Sequence, residues 1–283
     1  MKKLITAAGI LVALAGIFLL SLPTILHKAG LHPAYTGENY QLPGKRALVI
    51  TTSHAVLAGQ GEIDGPATGV WGSEFTHPYY TFLDGGMEVD IASIAGGEIP
   101  IDPQSFSFAT KSPEDERYLQ DLVAQAKVMH SIPIADVDIE QYDIVFLSGG
   151  WGAAYDLAQS PVLADKIAES YYGAKSAVIG GVCHGVLGLV SARDQNGELL
   201  VAGRRMTGVS DKQIRELGIE MTPRHPETEL RKAGALYESQ TAFRDVLATH
   251  VVVDDEQRFV TGQNQNSGLE TAHRMMQVMA QRE

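Results

Sequence analysis

Four short, β-branched apolar runs recur along the chain with helical stretches between them, and this alternation constrains the fold more than any other feature. The runs are "RALVITTS" (46–53), "MEVDIAS" (87–93), "YDIVFLSGG" (142–150) and "AKSAVIGGV" (174–182). Each is short and almost continuously apolar, as expected of a parallel strand buried on both faces. Between them, "SPEDERYLQDLVAQAKVM" and "SPVLADKIAESYY" open with Ser-Pro as helix starts do, and "SEFTHPYYTFLDGG" ends in a glycine stop. The predicted class is therefore α/β, a doubly wound parallel sheet with helices on both faces. Further on, "RRMTGVSD" and "HVVVDDEQRFVTG" read as a β-ribbon, and "SGLETAHRMMQVMAQ" as a closing amphipathic helix. Such sheets bind ligands at the carboxyl ends of their strands. Three polar or glycine-rich ends fall there: Thr51-Thr52-Ser53-His54, Ser148-Gly149-Gly150 and Gly181-Val182-Cys183.

Charge and cysteine content narrow the function classes. The formal net charge is −12, with no dense basic run along the body, which disfavours a nucleic-acid partner. A single cysteine forms no intrachain disulfide and lacks the paired spacing of a zinc site. At the N-terminus, Lys2 and Lys3 precede an uncharged run from Leu4 to Leu26, long enough at ~1.5 Å per residue to span a bilayer. The expectation is a membrane anchor over residues 1–26, or a cleaved signal segment. The basic flank would place the rest of the chain on the extracytoplasmic side. Residues 27–44, with two prolines, read as a tether, and residues 45–283 as one α/β domain.

The lone cysteine sits in "AVIGGVCHGVLGLV", where Gly181-Val182-Cys183-His184-Gly185 lies between an apolar strand and an apolar helix. The serine version of this G-x-C-x-G pattern is the nucleophile elbow, whose glycines allow a sharp turn that lifts the nucleophile above the sheet. A thiol at the start of the following helix would gain thiolate character from the helix dipole. The alternative is a buried structural cysteine, although a packed strand end does not require two flanking glycines.

Together with "MEVDIASIAGGEIPIDPQS", "YDIVFLSGGWGAAYDL", "RRMTGVSD" and "FVTGQNQNS", this stretch resembles the ThiJ/PfpI superfamily, and within it the heat-shock chaperone and glyoxalase III branch. The likeness runs from about Arg46 to the C-terminus. It implies a flavodoxin-like core, a cysteine on a strained elbow and an acidic residue from an early helix hydrogen-bonded to it. That residue maps onto Glu74 in "GVWGSEFTHPYY"; a carboxyl beside a thiolate is held partly protonated and can donate a proton. Without the resemblance, Glu74 reads equally as a carboxylate favoured by its helix N-terminus. Asp211 in "TGVSD" maps onto the acid that would complete a Cys183-His184-acid site, with Glu216 as substitute, and Ser210-Asp211 also reads as a helix cap. The N–H groups of Gly149, Gly150 and His184 are candidates for an oxyanion site. Trp151 stands where many relatives carry histidine, and His54 is a further candidate for the crevice. Glu74 and His77 have E-x-x-H spacing, but no second such pair accompanies them, and no metal is expected.

The resemblance implies an enzyme acting on small reactive aldehydes, with no cofactor and no glutathione, and relatives commonly form homodimers. The same cysteine also fits a stress chaperone or an oxidant sensor. Peptidase activity is a weaker alternative. Amidotransfer is weaker still, because "ETAHRMM" places Glu270 three before His273 where that chemistry uses His-x-Glu.

Overall fold

The structure, a computed structural model, describes residues 2–282, with the side chains of residues 2–9 and 12 outside that description. Helix α1 (Lys2–Lys28) is followed by β1 (Arg46–Thr51), α2 (Gly72–Asp84), β2 (Glu88–Ser93), α3 (Pro113–Tyr118), α4 (Leu122–Met129) and β3 (Ile132–Pro133). Next come β4 (Ile144–Leu147), α5 (Ala153–Asp156), α6 (Pro161–Tyr172), β5 (Val178–Val182) and a 3-10 helix over Cys183–Leu189. The chain closes with β6 (Arg205–Met206), α7 (Asp211–Leu217), α8 (Pro226–Lys232), β7 (Leu236–Tyr237), β8 (Val251–Val253), β9 (Phe259–Gly262) and α9 (Gly268–Ala280).

Seven strands form one sheet in the order β3-β2-β1-β4-β5-β9-β8. All neighbouring pairs are parallel except β8 with β9. This is the α/β architecture that the alternation predicts, and it is consistent with a flavodoxin-like core. Side chains alternate across the sheet as the strand period requires. Ala47 and Val49 of β1 join the core under α2 and α9, with Phe75, Phe82 and Met275. Leu48 and Ile50 join the opposite core under α6, with Leu163 and Ile167. Gly180 lets β5 and β9 meet closely, since a Cβ there would lie 1.8 Å from the Val260 carbonyl oxygen.

Several elements differ from expectation. The helix predicted over 112–129 breaks into α3 and α4 because Asp121 turns its carboxylate onto the N–H groups of Val123 and Ala124 and starts a new helix. The expected ribbon is two separate pairings: β6 pairs with β7 in a parallel bridge, while β8 and β9 form a hairpin that extends the main sheet.

The N-terminal expectation is corrected. Among the described residues, no helix is long and apolar enough to cross a membrane. Pro23 lies inside α1. Leu4 to Ala8 and Val12 belong to the expected span, but their side chains lie outside the description. The membrane partner is therefore withdrawn, and with it the extracytoplasmic placement. Beyond α1, Leu31, His32 and Leu42 are buried. Asn266 grips this segment from both sides, its Nδ2 donating to the Gly30 carbonyl and its Oδ1 accepting from the His32 N–H, each at 2.9 Å.

Candidate active site

Cys183 follows β5 directly. Val182 is extended (φ −135°), and the backbone then switches to φ 57° at Cys183, a left-handed conformation that non-glycine residues adopt at a cost. The glycines around it are required by close approach to β4. A Cβ on Gly185 would lie 2.2 Å from the Leu147 carbonyl oxygen, and one on Gly181 would lie 2.3 Å from it. The turn thus leaves the thiol buried at the carboxyl edge of the sheet.

Glu74 comes from the first turn of α2 and is buried. Its Oε2 packs on the Gly149 α-carbon, where a Cβ would lie 2.3 Å away. Burial pushes its pKa up to about 8; contact with the Cys183 thiol and with the N–H groups of Gly149 and Gly150 opposes that rise. Burial also raises the Cys183 thiol well above its usual range, and the Glu74 carboxyl raises it further. The N–H groups of His184 and Gly150 act in the opposite sense. The expected thiolate is therefore not the favoured resting form: desolvation outweighs the short 3-10 helix that follows. The pair Cys183–Glu74 holds its protons together, because the crevice does not tolerate two negative charges.

His184 Nδ1 lies 3.4 Å from Cys183 Sγ. Burial, with His225 adding to it, lowers the imidazole to about 3, so it is neutral at ordinary pH. Its Nε2 is buried with no hydrogen-bond partner. Asp211 does not come within hydrogen-bond or ion-pair distance of it. One Asp211 oxygen accepts from the Thr228 hydroxyl at 3.0 Å, and the other is buried without a partner. Asp211 is the first residue of α7, which Ser210 caps by accepting from the Gln213 N–H. Glu216 faces elsewhere, accepting from the Asp245 N–H and pairing with Lys212.

A cavity of about 60 Å³ opens onto Cys183, Glu74, His184 and Gly150. Trp71 and Trp151 line it from the two adjacent turns, their ring centroids 6.2 Å apart. Val209, Leu217 and Val246 supply apolar lining, and Gln213 and Gln265 polar lining. Cys183, His184, Glu74, Gly149, Gly150 and Trp151 are thus brought together, whereas His54 lies in a different cavity, stacked on Tyr155 with centroids 4.1 Å apart. His77 turns away from Glu74, its Nε2 3.4 Å from Glu114. Glu270 and His273 lie on α9 and do not line the Cys183 cavity. Sequence reasoning missed Trp71, although it stands three residues before Glu74. Val246 carried no local signal, because only the tertiary fold delivers it, and Gln265 lies in the "FVTGQNQNS" stretch without having been singled out.

Residues 67–277 match the model of the DJ-1/PfpI family. The chain belongs to that family. Within it, the chain is 29% identical over 245 residues to the "Glutathione-independent glyoxalase HSP31" of Saccharomyces cerevisiae, covering 84% of this chain and 98% of the relative. Among solved structures, glyoxalase III from Candida albicans superposes with a TM-score of 0.73 at 26% identity, covering 83% of this chain and 97% of that one. The Rapid Encystment Protein of Francisella tularensis superposes at 0.74 with 34% identity, covering 83% and 99% respectively.

Proposed function

We propose that this protein is a glutathione-independent glyoxalase that converts small 2-oxoaldehydes such as methylglyoxal to 2-hydroxy acids through Cys183. The observation that carries the reading is the placing of the chain's only cysteine and the buried Glu74 carboxyl in one cavity at the carboxyl edge of the sheet. The names of the DJ-1/PfpI relatives point the same way.

In this scheme Sγ attacks the aldehyde carbon, and the thiol proton passes by way of His184 Nδ1 to the carbonyl oxygen, giving a hemithioacetal. The N–H groups of Gly150 and His184 face the charge that develops there. Glu74, in its ionised form, takes the proton from the former aldehyde carbon to give an enediol anion, exchanges it with solvent and protonates the adjacent carbon, while the hydroxyl proton on the former aldehyde carbon passes to the neighbouring oxygen, leaving a thioester on Cys183. Water hydrolyses the thioester, releasing the 2-hydroxy acid and restoring the thiol. Aldehyde and water are consumed and no electrons leave the site, so neither glutathione nor a redox cofactor enters the balance. Asp211 would complete the site only by moving to meet His184 Nε2.

The test is lactate formation from methylglyoxal, without glutathione, by wild type, Cys183→Ser and Glu74→Gln. Lactate from wild type and none from either folded variant is the expected result. Folded wild-type protein that makes no lactate, yet whose Cys183 is selectively oxidised by low peroxide, would overturn the proposal in favour of an oxidant sensor.

A further inference from the structure

The chain contains two tryptophans, and both line the Cys183 cavity. Backbone hydrogen bonds hold the turns that carry them. Trp71 donates its N–H to the Gly149 carbonyl at 3.4 Å, and Gly152 donates to the Gly69 carbonyl at 3.2 Å, so the two turns bearing the rings are bonded to each other. A Cβ on Gly150 would lie 2.3 Å from the Trp71 nitrogen. The Glu74 N–H binds the Trp71 carbonyl, and the Ala154 N–H the Trp151 carbonyl, tying the backbone of each tryptophan to its following helix. Swinging either ring aside by a backbone movement would break these bonds.

The space left is about 60 Å³. A drug-sized ligand needs roughly 300 Å³ or more, whereas a single water needs about 10–15 Å³, so the cavity holds only a few heavy atoms. Val209, Leu217 and Val246 add apolar lining and Gln213 and Gln265 polar lining.

We propose that Trp71 and Trp151 form an aromatic gate that restricts Cys183 to aldehydes of two or three carbons, shutting out aryl and sugar-derived oxoaldehydes. Which aldehydes are turned over rests on the glyoxalase reading; the size limit on what reaches the thiol does not.

Because Cys183 is the only cysteine, alkylation of the full-length protein followed by intact mass reads access to this one sulfur. Iodoacetamide and N-phenylmaleimide are compared at equal fractions of their rates with a free thiol, for wild type, Trp151→Ala and Trp151→His, with the folding of each variant checked by thermal melting. In wild type the maleimide should lag iodoacetamide by roughly a hundredfold, a steric discrimination of the size that close-fitting pockets achieve. At least one folded variant should narrow that ratio by about tenfold or more. Equal labelling of wild type by both reagents would overturn the gate, as would a ratio unchanged in both variants. The specificity constants of wild type for methylglyoxal and phenylglyoxal form the second arm. A strong preference for methylglyoxal that relaxes in the same variants supports the gate, and comparable values in wild type overturn it. If neither aldehyde is consumed while the alkylation ratio behaves as stated, the glyoxalase reading fails and the gate stands.

Discussion

At the scale of single residues, the fold holds two groups of the candidate site, Glu74 and Cys183, against their solution behaviour. Glu74 moves from its ordinary 4.5 to about 8 through burial. Between those pH values the folded chain keeps a proton that the unfolded chain has lost, so ionisation of this residue erodes stability as pH rises, on the order of a few kcal/mol by pH 8. Glu74→Gln, which cannot ionise, should therefore raise the melting temperature by several degrees at pH 8 and much less at pH 5. A shift independent of pH would show that Glu74 is already ionised in the fold. Cys183 and its glycines were legible because nucleophile turns require unusual backbone, and Glu74 was legible through family resemblance. The third member was not: Asp211 sits at the expected place in the sequence, yet its carboxylate bonds Thr228 rather than His184. Asp211→Asn should accordingly lower kcat/KM far less than Glu74→Gln does. Equal losses would mean that Asp211 reaches His184 Nε2 in the working enzyme.

At the scale of elements, the strands were readable because parallel strands buried on both faces leave continuous apolar runs. The helices were readable from their caps, and errors arose where a side chain cut across the pattern. Asp121 divides one predicted helix, and the short β6 finds its partner at β7, thirty-odd residues on, with too few residues for any periodicity to announce the pairing. The turn between β5 and the 3-10 helix depends on close approach to β4. Gly185→Ala forces a Cβ against the Leu147 carbonyl, and such overpacking costs roughly 1–3 kcal/mol. Urea denaturation should show that loss as a lower midpoint with unchanged slope. A stability equal to wild type would mean that β4 and the turn can separate without penalty.

At the scale of the whole molecule, the sheet order places the Gly149-Gly150 turn beside the Cys183 turn, because β4 and β5 are neighbours, and α2 delivers Glu74 across the same edge. The alternation of strands and helices foretold this arrangement; the N-terminal reading went astray because, among the described residues, no helix is long and apolar enough to cross a membrane. The stretch after α1 is bound to the body through Asn266 and through Tyr35, whose ring stacks on His273 with centroids 3.8 Å apart. Removing the Asn266 amide strands the His32 N–H and costs about 1–3 kcal/mol locally. Asn266→Ala should speed proteolytic cleavage near residues 30–36 several-fold, and an unchanged cleavage rate would show that the other contacts suffice. The central claim is that Cys183 and Glu74 together carry an oxoaldehyde through an enediol. The most direct measurement is the lactate formed from methylglyoxal in D2O without glutathione, by wild type and Cys183→Ser, with deuterium at the carbon bearing the hydroxyl read by NMR. The account predicts lactate from wild type alone, with deuterium at that carbon from exchange through Glu74. Undeuterated lactate, or equal lactate from Cys183→Ser, would contradict it.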